Sequence, residues 1–144
     1  MNREKWDIRF LELAKHVAYW SKDPSTRVGA VIADQQNRII SLGFNGPPAG
    51  TLDLPRDRDS KLRRTIHAEA NAMHFANRDV KGCSIYITHP PCAHCTSHII
   101  QRGITRIVYI KGSQEFEERW AADIAESKEM CLEACVTMVE ARDE

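Results

Sequence analysis

The sequence predicts an α/β sandwich built on a mixed sheet of about five strands, in one domain over residues 1–144. Three observations lead there. A chain of 144 residues suits one domain and can bury most of its apolar surface without cross-links. After a leading amphipathic segment, short β-branched runs alternate with helix-period segments in the order ββαβαβαβ. The first two runs are joined by a three-residue turn, which makes an antiparallel hairpin. The later ones are separated by helices, which favours parallel pairing.

Each element has its own reason. From about Glu4 to Ser21, Phe10, Leu13, Ala14, Val17 and Trp20 recur at helical spacing and give one apolar face. Pro24 then disfavours a helical Asp23. "RVGAVIAD" and "RIISLGF" read as strands around the turn "QQN". "NGPPAG", Asn45 to Gly50, is too densely punctuated by Gly and Pro for regular structure. The loop continues through "TLDLPRDRDSKLRR", a length that points to function or disorder. A helix follows from about Ile66 to Asn77, then the strand "CSIYITH" and the helix "CAHCTSHIIQRG", which Gly103 can close. "TRIVYIK" is a strand. "SQEFEERWAADIAESKEMCLEAC" reads as one long helix capped by Ser113, and "VTMVEA" as a last strand.

Composition removes several classes. Lys plus Arg and Asp plus Glu are both 20, so the formal net charge is zero. That balance argues against nucleic-acid binding by counterion release, while a local pocket for one phosphate stays open. Five cysteines, an odd number, are no framework for a secreted disulfide scaffold. The N-terminus is charged from its second residue, and no long uncharged apolar run occurs. The expectation is a soluble protein of a reducing cytoplasm, without a membrane partner and with thiols free to bind metal.

Cys92 and Cys95 are three apart at a helix start, where i and i+3 share a face. The positive helix N-terminus favours their thiolates. Pro90 and Pro91 stiffen the turn before them. His67 also stands at a helix start. If both helices begin at one sheet edge, one imidazole and two sulfurs converge, a donor set that suits tetrahedral zinc. Three protein ligands leave the fourth position open, as in a catalytic site. Glu69, two residues on, does not face His67 along a helix, so the pair converges only at the first turn. A carboxyl there is a proton carrier. Alone, the CxxC fits a redox pair, a metal or chance, and His-x-Glu alone fits a helix surface. Together, H-x-E…P-C-x-x-C is the known pattern of zinc nucleobase deaminases.

With these residues the chain resembles the cytidine and deoxycytidylate deaminase superfamily, and within it the deoxycytidylate (dCMP) deaminases. The likeness runs through "SKDPSTRVGAVI", "GFNGPPAG", "HAEANAM", "DVKGCSIYITHPPCAHC" and "IIQRGITRIVY". It implies a three-layer α/β/α cytidine-deaminase-like sandwich. It implies zinc on His67, Cys92 and Cys95, with Glu69 as general acid and base in the hydrolysis of dCMP to dUMP and ammonia. It implies that the main chain of Ala68 and of Pro90 meets the pyrimidine edge, that Asn45 binds the sugar and phosphate end, and that the protein is a homo-oligomer. Members regulated by dCTP and magnesium often carry Cys-Ser-Asp-Asp after the NGxPxG loop, and dCTP and dTTP are the effectors the likeness raises. Here "TLDLP" keeps Asp53 alone, which puts effector control and a second zinc in question. Cys135 stands where many relatives have glycine. A left-handed cap suits cysteine less well, so the last helix is expected to end differently.

Arg27 is the first cationic candidate for a substrate phosphate, before Lys22 and Lys111. Its plain alternative is a solvated strand-end arginine. The basic run from Arg56 to Arg64 fits a solvated face, with a lid as the sharper reading. His94 is expected to point away from the sulfurs and His89 to line the pocket or pack, while Cys83 reads as core. Phe116, Trp120 and Ile124 read as core or subunit contact. Two rivals remain open. One is the same chemistry on nucleic acid, as in a tRNA adenosine deaminase. The other is a zinc-binding module without activity. Preference for 5-methyl or 5-hydroxymethyl dCMP has no deciding residue.

Overall fold

The computed structural model describes residues 3–143. Helix α1 (Arg3–Ala18) precedes the hairpin β1 (Gly29–Ala33) and β2 (Ile39–Phe44). Then come α2 (Arg58–Arg64), α3 (Ala68–Phe75), β3 (Ser84–Ile87), α4 (Ala93–Gln101), β4 (Arg106–Ile110), α5 (Gln114–Arg119), α6 (Ala121–Ala134) and β5 (Thr137–Ala141). The strands form one sheet in the order β2-β1-β3-β4-β5. β1 is antiparallel to both β2 and β3, and β3, β4 and β5 are parallel, so the sheet is mixed as expected.

Alternating side chains divide the core between the two faces of the sheet. Val31, Tyr86, Val108 and Ile110 pack against Phe10, Leu11 and Ala14 of α1. Ala30, Ile32, Ile85, Ile87 and Ile107 pack against Ala72 and Met73 of α3, Ile99 of α4 and Cys131 of α6. The three inner strands are thus buried on both sides, which is why they read as continuous apolar runs. The result is three layers, with Cys83 in the core.

Two glycines set how closely the helices approach the sheet. A Cβ on Gly29 would lie 2.0 Å from the Ala14 carbonyl oxygen of α1. On the other face, a Cβ on Gly43 would lie 2.3 Å from the Ala72 nitrogen and 2.4 Å from the Ala68 oxygen of α3. Only a residue without a side chain permits either backbone-to-backbone contact. α1 is also tied to β4 by charge. Arg106 donates twice to the Asp7 carboxylate, at 2.7 and 2.5 Å, and Arg3 donates to Asp7 and to the Tyr86 hydroxyl.

Four expectations need correction. The stretch after Lys111 is two helices, not one. The chain bends at Trp120 (φ −107°, ψ 17°), although the hydrogen bonds from Trp120 to Phe116 and from Ile124 to Trp120 continue across the bend. The basic run is partly helical. Asp57 caps α2 by accepting the Ser60 N–H at 2.8 Å, and no residue of α2 is buried. Cys135 does adopt the left-handed cap (φ 59°), with its N–H directed to the Cys131 and Leu132 carbonyls. Helices α1 and α3 are each shorter than their periodicity suggested. The excursion over residues 47–65 is closed at its base by Gly46 and Ile66, which exchange two backbone hydrogen bonds at 3.1 and 2.8 Å. Among the described residues, no helix is long and apolar enough to cross a membrane.

Candidate metal and catalytic centre

His67 is the N-cap of α3, extended at φ −67° and ψ 156°, and Cys92 is the N-cap of α4. β3 leads directly into the Pro90-Pro91 turn and so to α4. The Gly46–Ile66 pair delivers the chain from the end of β2 to α3. Both helices therefore start at the same edge of the sheet. His67 Nδ1 lies 3.5 Å from Cys92 Sγ and 3.3 Å from Cys95 Sγ. All three atoms lie within 4.8 Å of one another. For a tetrahedral ion with ordinary zinc–nitrogen and zinc–sulfur bonds, the expected N···S separation is about 3.6 Å. The donor set and its spacing fit zinc.

The sulfurs are already polarised. The Cys92 thiol is pushed down to about 4, chiefly by its hydrogen bond with the Cys95 thiol, against burial and with help from His67 and the Cys95 N–H. That N–H lies 3.3 Å from Cys92 Sγ. Cys95 is pushed up by holding the proton of the pair and by burial. His67 is raised, first by its hydrogen bond with Cys92. Glu69 sits in the first turn of α3, only 4% exposed, beside Cys95 and His67. Burial is the largest influence on its carboxyl and raises it. Imidazole and carboxyl thus stand at the cap and in the first turn of one helix.

The remaining predicted residues are placed differently from one another. Ala68 and Pro90 are buried beside the centre. Asn45 is buried too, and its amide stitches the chain. Asn45 Oδ1 accepts the Val28 N–H and Asn45 Nδ2 donates to the Thr26 carbonyl, both at 2.9 Å. Arg27 is exposed and lines an open cleft of about 460 Å³ with Lys15, Tyr19, His89, Lys111 and Phe116. Lys22 instead pairs with Asp53 at 2.9 Å, both side chains in solvent. His89 is half-buried, contacts Thr88 and lies 5.8 Å from the Phe116 ring, and burial lowers its pKa. His94 points outward against His98. Sequence reasoning missed three polar residues around the cysteine turn: Thr96, Asp123 and Ser127. Two of them come from α6, some thirty residues on, and no local spacing announces such a contact.

The profile of the cytidine and deoxycytidylate deaminase zinc-binding region matches residues 4–111. The chain belongs to that family of zinc-binding deaminases. An uncharacterized deaminase of Aliivibrio fischeri is 46% identical over 134 residues, covering 92% of this chain and 90% of its own. The deoxycytidylate deaminase of Mus musculus is 39% identical over 127 residues, covering 82% of this chain and 71% of its own. A structure of the cyanophage S-TIM5 dCMP deaminase in complex with dCMP and dUMP superposes with a TM-score of 0.79 at 20% identity, covering 98% and 99% of the two chains. At that identity the superposition establishes the shared fold.

Proposed function

We propose that the protein hydrolyses dCMP to dUMP and ammonia, with zinc held by His67, Cys92 and Cys95. One observation carries the reading: one imidazole nitrogen and two sulfurs converge beside a buried carboxyl, at the mouth of two helices. Zinc bound there supplies a Lewis acid for the attacking and developing oxygen. Glu69 moves the protons. It accepts one from the attacking water and passes it to N3 of the ring, then takes the second from the hydroxyl now on C4 and delivers it to the leaving amine. Its burial keeps bulk water from competing for those protons. The main chain of Ala68 and of Pro90 orients the pyrimidine edge. Asn45 meets the sugar and phosphate end; among the described residues, Thr26 engages one of its two amide hydrogens. Arg27, with Lys111 in the same cleft, holds the phosphate.

The reading extends to cytoplasmic nucleotide metabolism, which five unpaired thiols suit, and to a homo-oligomer. Exposed Phe75 and Leu132 offer apolar surface for the latter.

A substrate panel on zinc-loaded protein tests it. Ammonia release is measured from dCMP, its 5-methyl and 5-hydroxymethyl forms, deoxycytidine and a single-stranded oligonucleotide, with and without dCTP or dTTP. Fastest turnover of a dCMP-type nucleotide is expected. Preference for the oligonucleotide, or no turnover of any cytosine compound, refutes the reading.

A further inference from the structure

The turn that carries the two sulfurs holds itself only in part, through the Cys92 Sγ cap on the Cys95 N–H. Pro90 and Pro91 have no N–H to donate, and the first N–H groups of a helix have no partner within it. The missing partners come from α6. Asp123 and Ser127 are one helical turn apart and share a face. Asp123 Oδ2 accepts the N–H of Ala93 at 2.6 Å, the residue directly after Cys92. Ser127 is fully buried and donates to the Pro91 carbonyl at 3.1 Å. Thr96, also fully buried, stands 2.8 Å from the Cys92 carbonyl and 2.9 Å from Ser127 Oγ, sharing its one hydrogen between them. Pro91 and Ala93, on either side of Cys92, are thereby fixed from α6, while Thr96 of α4 holds the Cys92 carbonyl and is itself tied to Ser127.

We propose that Asp123 and Ser127 are positioning residues for the metal, holding Cys92 and Cys95 at ligand spacing before the ion arrives. This rests on the zinc reading above. Neither side chain reaches a sulfur. Asp123 acts through a backbone N–H, and Ser127 through a carbonyl and through Thr96. Asp123 also sets a carboxylate at the start of α4, where a helix favours negative charge. Groups standing behind metal ligands set affinity by removing the freedom of those ligands, and their loss weakens binding by about 10- to 100-fold.

The test uses the full chain and the metals themselves. Zinc affinity is measured by competition with a chelator. Cobalt-loaded protein reports ligand geometry through its thiolate charge-transfer and visible bands. Thermal unfolding of the metal-free protein is followed in parallel. Asp123→Ala and Ser127→Ala should each weaken zinc binding about tenfold or more and shift the cobalt bands. Asp123→Asn keeps an acceptor oxygen and should recover most of the loss. Parental zinc affinity and cobalt spectra in both alanine variants would overturn the proposal, even with a lowered unfolding temperature, and so would an asparagine variant as weak as alanine. If Asp123→Ala does not fold, Ser127→Ala and Asp123→Asn decide by the same measurements. Parent protein that takes up no zinc would sink the metal reading itself, a result distinct from parent binding with unchanged variants.

Discussion

Adding one methyl group at Gly43 should damage the catalytic centre through the backbone of α3. The Cβ of Gly43→Ala would sit 2.3 Å from the Ala72 nitrogen and 2.4 Å from the Ala68 oxygen, where ordinary contact begins at 3.4 Å. Both obstacles are backbone, so neither can rotate away. Strand and helix must separate by about 1 Å. α3 carries Glu69 in its first turn and His67 at its cap, and a displacement of about 1 Å in a catalytic group costs on the order of 10²-fold in rate. Overpacking of this kind destabilises by about 1–3 kcal/mol, which lowers the melting temperature by about 3 to 10 °C. The assay is kcat and KM for dCMP at full zinc loading, with thermal unfolding alongside. Gly46→Ala is the control, since its Cβ meets nothing within 4 Å. Parental kcat and melting temperature in Gly43→Ala would refute the reasoning.

Glu69→Gln should bind zinc as the parent does, by metal analysis, yet lose ammonia release by about 10²- to 10⁴-fold. Arg27→Ala should raise KM for dCMP about tenfold and leave deoxycytidine turnover unchanged, by steady-state kinetics on both. The Asp7 carboxyl is raised by burial but held below its ordinary 3.8 overall by the hydrogen bonds and charge of Arg106 and by Arg3. Its contribution to stability is therefore complete above that value and disappears as pH falls through the lower folded value. Denaturant titrations from pH 6 to pH 2 should show a steeper acid loss in the parent than in Asp7→Asn, which is already less stable by about 3 kcal/mol at neutral pH. Cys135→Gly should raise stability by about 1 kcal/mol in thermal unfolding, because glycine adopts φ 59° without the Cβ penalty.

The parts of the fold legible in sequence were those written in local pattern. β1, β3 and β4 announced themselves through apolar runs. The centre announced itself because His67, Cys92 and Cys95 all fall at helix starts, where the spacing already limits what they can face. α2 was illegible because none of its residues is buried and five of the seven are charged, and the visible local support for its start is the Asp57 cap. The bend at Trp120 hid behind a helical period that continues through it. Cys135 shows a weak local preference losing to the chain's need to turn from α6 into β5. Asp123 and Ser127 read as ordinary polar positions on a helix, and only tertiary packing gives them partners near Cys92.

The bridge between Gly46 and Ile66 has an evolutionary consequence. It fastens both feet of the 47–65 excursion, so the chain enters α3 from one fixed point whatever the length of the segment between. Chain can be spliced in or cut out there for little entropy, since doubling such a segment costs only about 0.6 kcal/mol. Lineages are thus free to trade one cassette for another at this position while the imidazole and the carboxyl just downstream stay where they are.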